Sequence, residues 1–210
     1  MSATASVQST LAAALWPATK QSAVLRAALL ALAGSAFVAL SAQIEVPLWP
    51  VPITGQTFAV LIVGMAFGWR LGAATLLLYM AEGAVGIPVF AKFSGGFAVL
   101  IGPTGGYIVG FVLAAAIVGY LAERGWDRNP GLTALAMLIG NVAIYLPGLP
   151  WLAIFLAGIG TENPVGAAIS GGLTPFLLGD ALKLALAACL LPVSWKLVGR
   201  PRATTAAGEE

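Results

Sequence analysis

Residues 104–121 read TGGYIVGFVLAAAIVGYL, eighteen positions without an Asp, Glu, Lys or Arg, followed at once by the charged stretch Glu123–Arg128. As a helix at about 1.5 Å per residue this run is roughly 27 Å long, close to the hydrocarbon thickness of a bilayer. Working outward, comparable runs recur. Ser22–Ala42 predicts a first span, and Leu132–Gly158 and Ala167–Pro192 predict two more downstream. Ile53–Ile87 is interrupted at Gly68-Trp69-Arg70, which splits it into a short span, Ile53–Phe67, and another, Leu71–Ile87.

Composition agrees with the runs. The 210 residues are 60% hydrophobic and 9% charged, with a mean hydropathy of +0.96. A soluble domain carries about 25% charged residues, so there is too little charge here to coat a soluble globule. The reading is an all-α integral membrane protein of six transmembrane helices. Residues 1–21 form an N-terminal cytoplasmic leader, mobile or interfacial. Residues 22–195 form one membrane domain, and residues 196–210 a cytoplasmic tail.

Prolines and glycines punctuate the spans. Glu45–Gln56 (EVPLWPVPITGQ) carries three prolines, which break helix, and reads as a connecting loop. Leu132–Gly158 is long for one straight crossing and contains Pro147, Gly148 and Pro150. It is expected to cross by Leu146 and then turn along the surface. Gly171, Gly172 and Pro175 are placed to unwind the first turns of the last span, which at membrane depth requires a cavity beside the bare backbone.

Cation placement gives a topology. With six spans, Lys20, Arg26, Arg70, Arg124, Arg128, Lys196, Arg200 and Arg202 share one side, eight of the ten cations. Lys92 falls opposite and Lys183 within the membrane. The positive-inside bias puts both termini in the cytoplasm. Trp16, Trp69, Trp126 and Trp195, four of the six tryptophans, sit at the same edge.

The reactive inventory excludes much. Histidine is absent and Cys189 is the only cysteine, so no disulfide forms within the chain, and zinc sites and His-based catalysis lack their groups. No metal site is expected. A net charge of +2 gives no reason to expect nucleic acid. Gly95-Gly96 and Gly105-Gly106 match no phosphate loop, so the chain does not hydrolyse ATP itself.

Asp180 and Lys183 are the strongest polar signal. They lie three apart in a helical pattern and so on one face. Either charge at a bilayer centre costs on the order of 2.5–3.5 kcal/mol. A polar substrate site is favoured over a purely structural ion pair. Asn141 and Tyr145, four apart, share a face of the fifth span; Asn141 reads equally as a ligand or as interhelical glue. Glu82 with Tyr79 is a weaker pair. Ala23, Ala27, Ala31 and Ser35 form a ladder of small residues that lets another helix approach closely, inside the bundle or from a partner.

The stretches PVPITGQTFAV (50–60), GWRLGAA (68–74), EGAVGIPVFAKFSGG (82–96), GPTGGY (102–107), GNVAIYLPGLPW (140–151) and LLGDALK (177–183) together resemble the BioY family. These are the biotin-specific S components of energy-coupling-factor (ECF) importers. The resemblance covers about residues 22–192. It implies an ECF S-component-like bundle in the bacterial plasma membrane that captures biotin from outside. It further implies a transmembrane coupling subunit and two ATPase subunits as partners, with no cofactor beyond biotin as substrate. It assigns Asp180, Lys183 and Asn141 to the substrate, and the stripe at Ala27 and Ala31, extended by Ala23 and Ser35, to the coupling subunit. Where some relatives carry an Arg before the glycine pair of the 88–103 connection, this chain has Ser94, with Lys92 two residues earlier.

A neutral urea head entering first would meet Asp180, Lys183 and Asn141, with Tyr145 beside them. The carboxylate tail would then end at Lys92, Ser94, Gly95 and Gly96, under a lid formed by Glu45–Gln56. The alternatives are uptake without ATPases and an S component for another small vitamin.

Overall fold

Helix boundaries follow the punctuation of the sequence closely. The computed structural model describes residues 10–17 and 22–198, so most of the expected leader and tail, including Lys20, Arg200 and Arg202, lies outside the described residues. A short helix α1 (Leu11–Leu15) precedes α2 (Ala23–Ala42). Two-residue strands β1 (Glu45–Val46) and β2 (Ile53–Thr54) then pair antiparallel, Glu45 opposite Thr54. The helices α3 (Gln56–Phe67) and α4 (Trp69–Ala84) are joined by the single residue Gly68. After a 3-10 turn at Ala91–Phe93 come α5 (Phe97–Ile101) and α6 (Gly105–Glu123). A second 3-10 turn at Trp126–Arg128 leads into α7 (Pro130–Gly158), α8 (Pro164–Gly172) and α9 (Phe176–Val198).

The break at Gly68 has a local cause. Its φ of +82° lies where glycine alone is comfortable, and an added Cβ would collide with Glu123 Oε1. That same oxygen accepts the Trp69 N–H at 3.2 Å, so α6 supplies the cap that starts α4. At the start of α7, Asn129 Oδ1 accepts the N–H groups of Gly131 (2.9 Å) and Leu132 (3.3 Å), and Pro130 occupies the first turn where its missing N–H costs nothing.

Four stretches are long and apolar enough to cross a membrane: α2, α6, α7 and the segment Pro164–Val198 that holds α8 and α9. The chain is a mostly helical multi-pass membrane protein. The helix α3 is apolar but only 12 residues long. Packing is centred on α6, whose most apolar stretch is 61% buried against 22% for α2. It lies against α3, α4 and α7. The α6–α7 seam is tight because glycine lines it: a Cβ on Gly148 would stand 2.7 Å from the Tyr107 ring.

Several expectations need correction. The helix α7 does not turn aside at Leu146 but continues for 29 residues through Pro147 and Pro150. Neighbouring helices let the helical backbone continue despite two missing N–H donors. The connecting segment Glu45–Gln56 is closed by a short two-stranded ladder, with its prolines confined to the tip between the strands. The last helix runs past Pro192 to Val198. The leader's apolar run is docked rather than free: Leu11 and Ala12 are buried, and α1 lies against α3 and α9. The expected unwinding after Gly171-Gly172 is present, as a break of Leu173–Pro175 between α8 and α9.

Candidate functional site

The hairpin end of the bundle holds a cavity of about 250 Å³. Its roof is the hairpin tip, Leu48–Pro52, with Phe90, Ala91, Lys92 and Ser94 alongside. Its walls come from α6 (Tyr107, Ile108, Phe111), α7 (Ile144, Tyr145) and α9 (Phe176), with Thr54 from β2 and Gln56 and Thr57 from the start of α3. The shape is a mostly apolar pocket with a few polar groups converging on it, the ordinary design of a small-molecule site.

Beneath the lining lies the charged pair. Lys183 Nζ donates to Thr57 Oγ1 at 2.7 Å and to the Thr54 carbonyl at 2.9 Å, while Asp180 Oδ1 is 3.5 Å away. Tyr145 Oη donates to Asp180 Oδ2 at 2.5 Å. Thus each charged side chain holds a residue of the cavity wall. The other carboxylate oxygen, Oδ1, is buried with no hydrogen-bond partner. Asn141 is buried one helical turn from Tyr145, and no hydrogen bond among the described residues engages its amide. Asp180 Oδ1, ion-paired with Lys183 but accepting no hydrogen bond, keeps acceptor capacity that a ligand's N–H could use.

A second network fixes the roof. Gln56 Nε2 donates to Tyr79 Oη at 2.6 Å, and Tyr79 Oη donates to the Val89 carbonyl at 3.0 Å. Thr54 Oγ1 donates to Gln56 Oε1 at 3.0 Å. These bonds tie the hairpin and the start of α3 to α4 and to the connection after it. Tyr107 Oη donates to the Gly172 carbonyl at 3.0 Å, satisfying one of the acceptors freed where α8 ends. Its ring meets that of Tyr145 edge to face at 6.2 Å.

At the mouth, the expected residues divide. Lys92 and Ser94 line the cavity; Lys92 is exposed, with φ +59°. Ser94 Oγ donates to the Ala91 carbonyl at 2.7 Å. Gly95 and Gly96 build the turn instead. A Cβ on Gly95 would stand 2.5 Å from the Ile87 carbonyl oxygen, and the Gly96 N–H already donates to the Gly83 carbonyl at 2.7 Å.

The small-residue ladder on α2 also divides. Ala23 is exposed and Ala27 half-buried, but Ala31 is 9% and Ser35 1% exposed. Ser35 turns inward and donates to the Glu82 carboxylate on α4. The outer surface of the ladder is confined to its Ala23–Ala27 end, which corrects the expectation for Ser35. Glu82 and Tyr79 do not act as a pair, since Tyr79 serves Gln56 and Val89.

Sequence reasoning missed Thr54, Gln56, Thr57 and Tyr107. The signal for the first three was the polar run Thr54-Gly55-Gln56-Thr57 at the mouth of an apolar helix, which the three prolines before it disguised as loop.

The model of the family described as "BioY family" matches residues 8–200. The chain is 44% identical over 154 residues to a probable biotin transporter BioY of Pyrococcus horikoshii, covering 72% of this chain and 86% of that one. It is 37% identical over 160 residues to the biotin transporter BioY of Thermotoga maritima, covering 74% and 88%. With that of Rhodobacter capsulatus the identity is 36% over 165 residues, covering 74% and 85%. Its fold matches a crystal structure of the S-component for biotin from an ECF-type ABC transporter with a TM-score of 0.69, at 21% identity over 88% of this chain and 96% of the other. On this match along nearly its whole length, the chain belongs to the BioY family.

Proposed function

We propose that the chain is the substrate-binding membrane subunit of a biotin importer. It captures biotin from outside a bacterial plasma membrane and passes it inward together with an ECF coupling subunit and two ATPase subunits. The observation that carries this reading is the unused hydrogen-bonding capacity beneath the cavity. Biotin's urea head is neutral, with two N–H donors and one carbonyl acceptor. Asp180 Oδ1 and the Asn141 carbonyl accept from the N–H groups, and Lys183 and the Asn141 amide donate to the carbonyl. A neutral head leaves the Asp180–Lys183 pair balanced, which a charged ligand would not. Tyr145 and Thr57, held by that pair, set the depth of entry. The apolar wall covers the rest of the ligand, and its carboxylate ends at Lys92 and Ser94 beneath the hairpin. Gly95 and Gly96 keep that turn tight.

The same reading takes α2, α3, α4, α6, α7 and α8–α9 as six crossings with both termini cytoplasmic. Supporting it, Arg26, Arg70, Arg124, Arg128 and Lys196 belong to the end opposite the cavity. Ala23 and Ala27 are the part of the ladder open to a coupling subunit. Equilibrium binding of labelled biotin to the purified chain in detergent tests the proposal: saturable one-site binding is expected, and absence of binding by folded protein contradicts it.

A further inference from the structure

The turn at the cavity mouth carries two successive residues with left-handed backbone, and neither is glycine: Lys92 (φ +59°, ψ +32°) and Phe93 (φ +51°). That region brings an L-residue's Cβ too close to a carbonyl oxygen, and a bulky residue stays there only when its surroundings hold it. Burial does not hold these two. Lys92 is exposed and Phe93 is 70% exposed.

The hold comes from α2. Gln43 caps that helix at its C-terminal end, and its Nε2 donates back to the Ala39 carbonyl at 3.0 Å. The same Nε2 donates to the Phe90 carbonyl at 3.0 Å, while Oε1 accepts the Phe93 N–H at 3.0 Å. Both donors of the amide are engaged, so its orientation is fixed. One side chain thus grips the turn on either side of Lys92. Phe90 is a firm point to grip: it is buried, meets Tyr79 edge to face at 5.4 Å, and sits where a Cβ on Gly83 would overlap its ring. The Phe90 N–H also donates to the Ser94 carbonyl at 3.0 Å, which closes the turn. Lys92, between these fixed points, lines the cavity.

We propose that Gln43 is a positioning residue for the ligand's carboxylate. By holding Phe90 and Phe93 it keeps the Lys92–Phe93 turn left-handed, and that turn presents Lys92 to the cavity beneath the hairpin. With the grip removed, the two residues relax toward ordinary negative φ and Lys92 leaves the mouth. The inference rests on the biotin reading and on the carboxylate ending at Lys92.

The test is binding of biotin and of biotin methyl ester to the purified chain at low salt. The native chain is expected to prefer the acid severalfold, and Lys92→Ala to lose that preference. Gln43→Met keeps a long unbranched side chain without the amide. It is expected to lose the preference to the same extent while its affinity for the ester stays native. Gln43→Met combined with Lys92→Ala is expected to bind biotin no more weakly than Lys92→Ala alone, because both act through one ammonium group. Without ligand, hydrogen exchange at the Phe93 amide should quicken about tenfold in Gln43→Met, as one hydrogen bond is lost. Phe93→Pro cuts the same bond from the exposed side, since proline has no N–H and fixes φ at about −65°. It is expected to reproduce the loss of preference, which keeps the proposal testable if Gln43→Met fails to fold. A native acid preference that survives in Gln43→Met or in Phe93→Pro overturns the proposal and leaves the biotin reading intact. So do equal losses of acid and ester in Gln43→Met, or additive losses in the double variant, which would make Gln43 a support of the fold. A native chain that binds acid and ester equally, or neither, contradicts the underlying reading and takes the proposal with it.

Discussion

The two ends of the bundle solve opposite problems. At the hairpin end the backbone is irregular, with two short strands, a 3-10 turn and the five-residue α5, and the polar side chains point inward. At the termini end the connections are abrupt and three arginines lie over aromatic rings. The Arg70 guanidinium is 5.0 Å from the Trp69 ring, that of Arg124 3.4 Å from Tyr120, and that of Arg128 4.3 Å from Trp195. Stacking of this kind anchors a surface without demanding a ligand. Asp180 Oδ1, buried and accepting no hydrogen bond, has acceptor capacity left for one.

The largest effect is expected from cutting the pair at the hairpin end. Lys183→Met leaves Asp180 uncompensated, and losing one partner of a buried pair costs about 3–5 kcal/mol. Expression measured by fluorescence size-exclusion should collapse together with biotin binding. Asp180→Asn combined with Lys183→Met should restore expression but not binding. Normal binding by the double variant would reduce the pair to a structural feature and erase the contrast between the ends.

Next in size is a matched pair of tyrosines. Tyr145→Phe removes the hydroxyl that donates to Asp180 at 2.5 Å. Hydrogen bonds to charged groups contribute about 1.5–3 kcal/mol, so biotin affinity should fall roughly tenfold or more. Tyr120→Phe, at the other end, keeps the ring beneath Arg124 and should leave affinity unchanged in the same equilibrium assay. Equal losses would show that the tyrosines matter only to packing.

A third variant probes the termini end by pH. Asp127 is fully buried in the 3-10 turn and accepts from Trp195 Nε1 at 2.5 Å, which fastens the end of α9. Burial pushes its carboxyl above the usual aspartate range, against the opposing pull of the Trp195 N–H and of Arg128. A folded-state pKa above the unfolded value of about 3.9 means the protonated form is favoured in the folded chain. Its contribution is then full below the unfolded pKa and is lost as pH rises through the folded one. Asp127→Asn keeps an acceptor for Trp195 and cannot ionise. Its melting temperature should exceed that of the native chain at neutral pH, with the gap closing as pH falls toward about 4. A gap that widens on acidification would show that the ionised carboxylate stabilises this end.

The smallest effect is expected at the mouth. Lys92 is exposed, and an exposed ion pair is worth about 0.2–1 kcal/mol. Lys92→Ala should weaken biotin severalfold at low salt, barely change biotin methyl ester, and lose its effect at high salt. Equal losses for acid and ester would assign Lys92 to the loop rather than to the ligand.

Much of this contrast was legible in the sequence, for physical reasons that differ by region. Charge-free runs announce membrane helices because the bilayer admits little else, and the break at Gly68 showed in the charge of Arg70 beside it. Asp180 and Lys183 stood out through their cost at that depth. The continuation of α7 through Pro147 and Pro150 was hidden, because tertiary packing overrides the local helix-breaking tendency of proline. So was the inward turn of Ser35, since a four-residue ladder names a face without saying what covers it. The Lys183 contacts to Thr54 and Thr57 join positions more than 120 residues apart. The polar run Thr54-Gly55-Gln56-Thr57 marks the spot locally, but nothing local says that Lys183 is its partner.

Everything at the hairpin end turns on whether the neutral urea head lies deepest, on the floor held by Asp180 and Lys183. Competition against labelled biotin by two analogues decides this. Desthiobiotin keeps the urea; iminobiotin replaces the urea oxygen with nitrogen, and is compared at a pH where its guanidine is charged. Desthiobiotin should compete within about tenfold of biotin, while iminobiotin should lose roughly a hundredfold or more, as a site built for one hydrogen-bond pattern rejects a charged or mismatched group. Equal competition by the two analogues would contradict a head-down biotin and put the urea elsewhere.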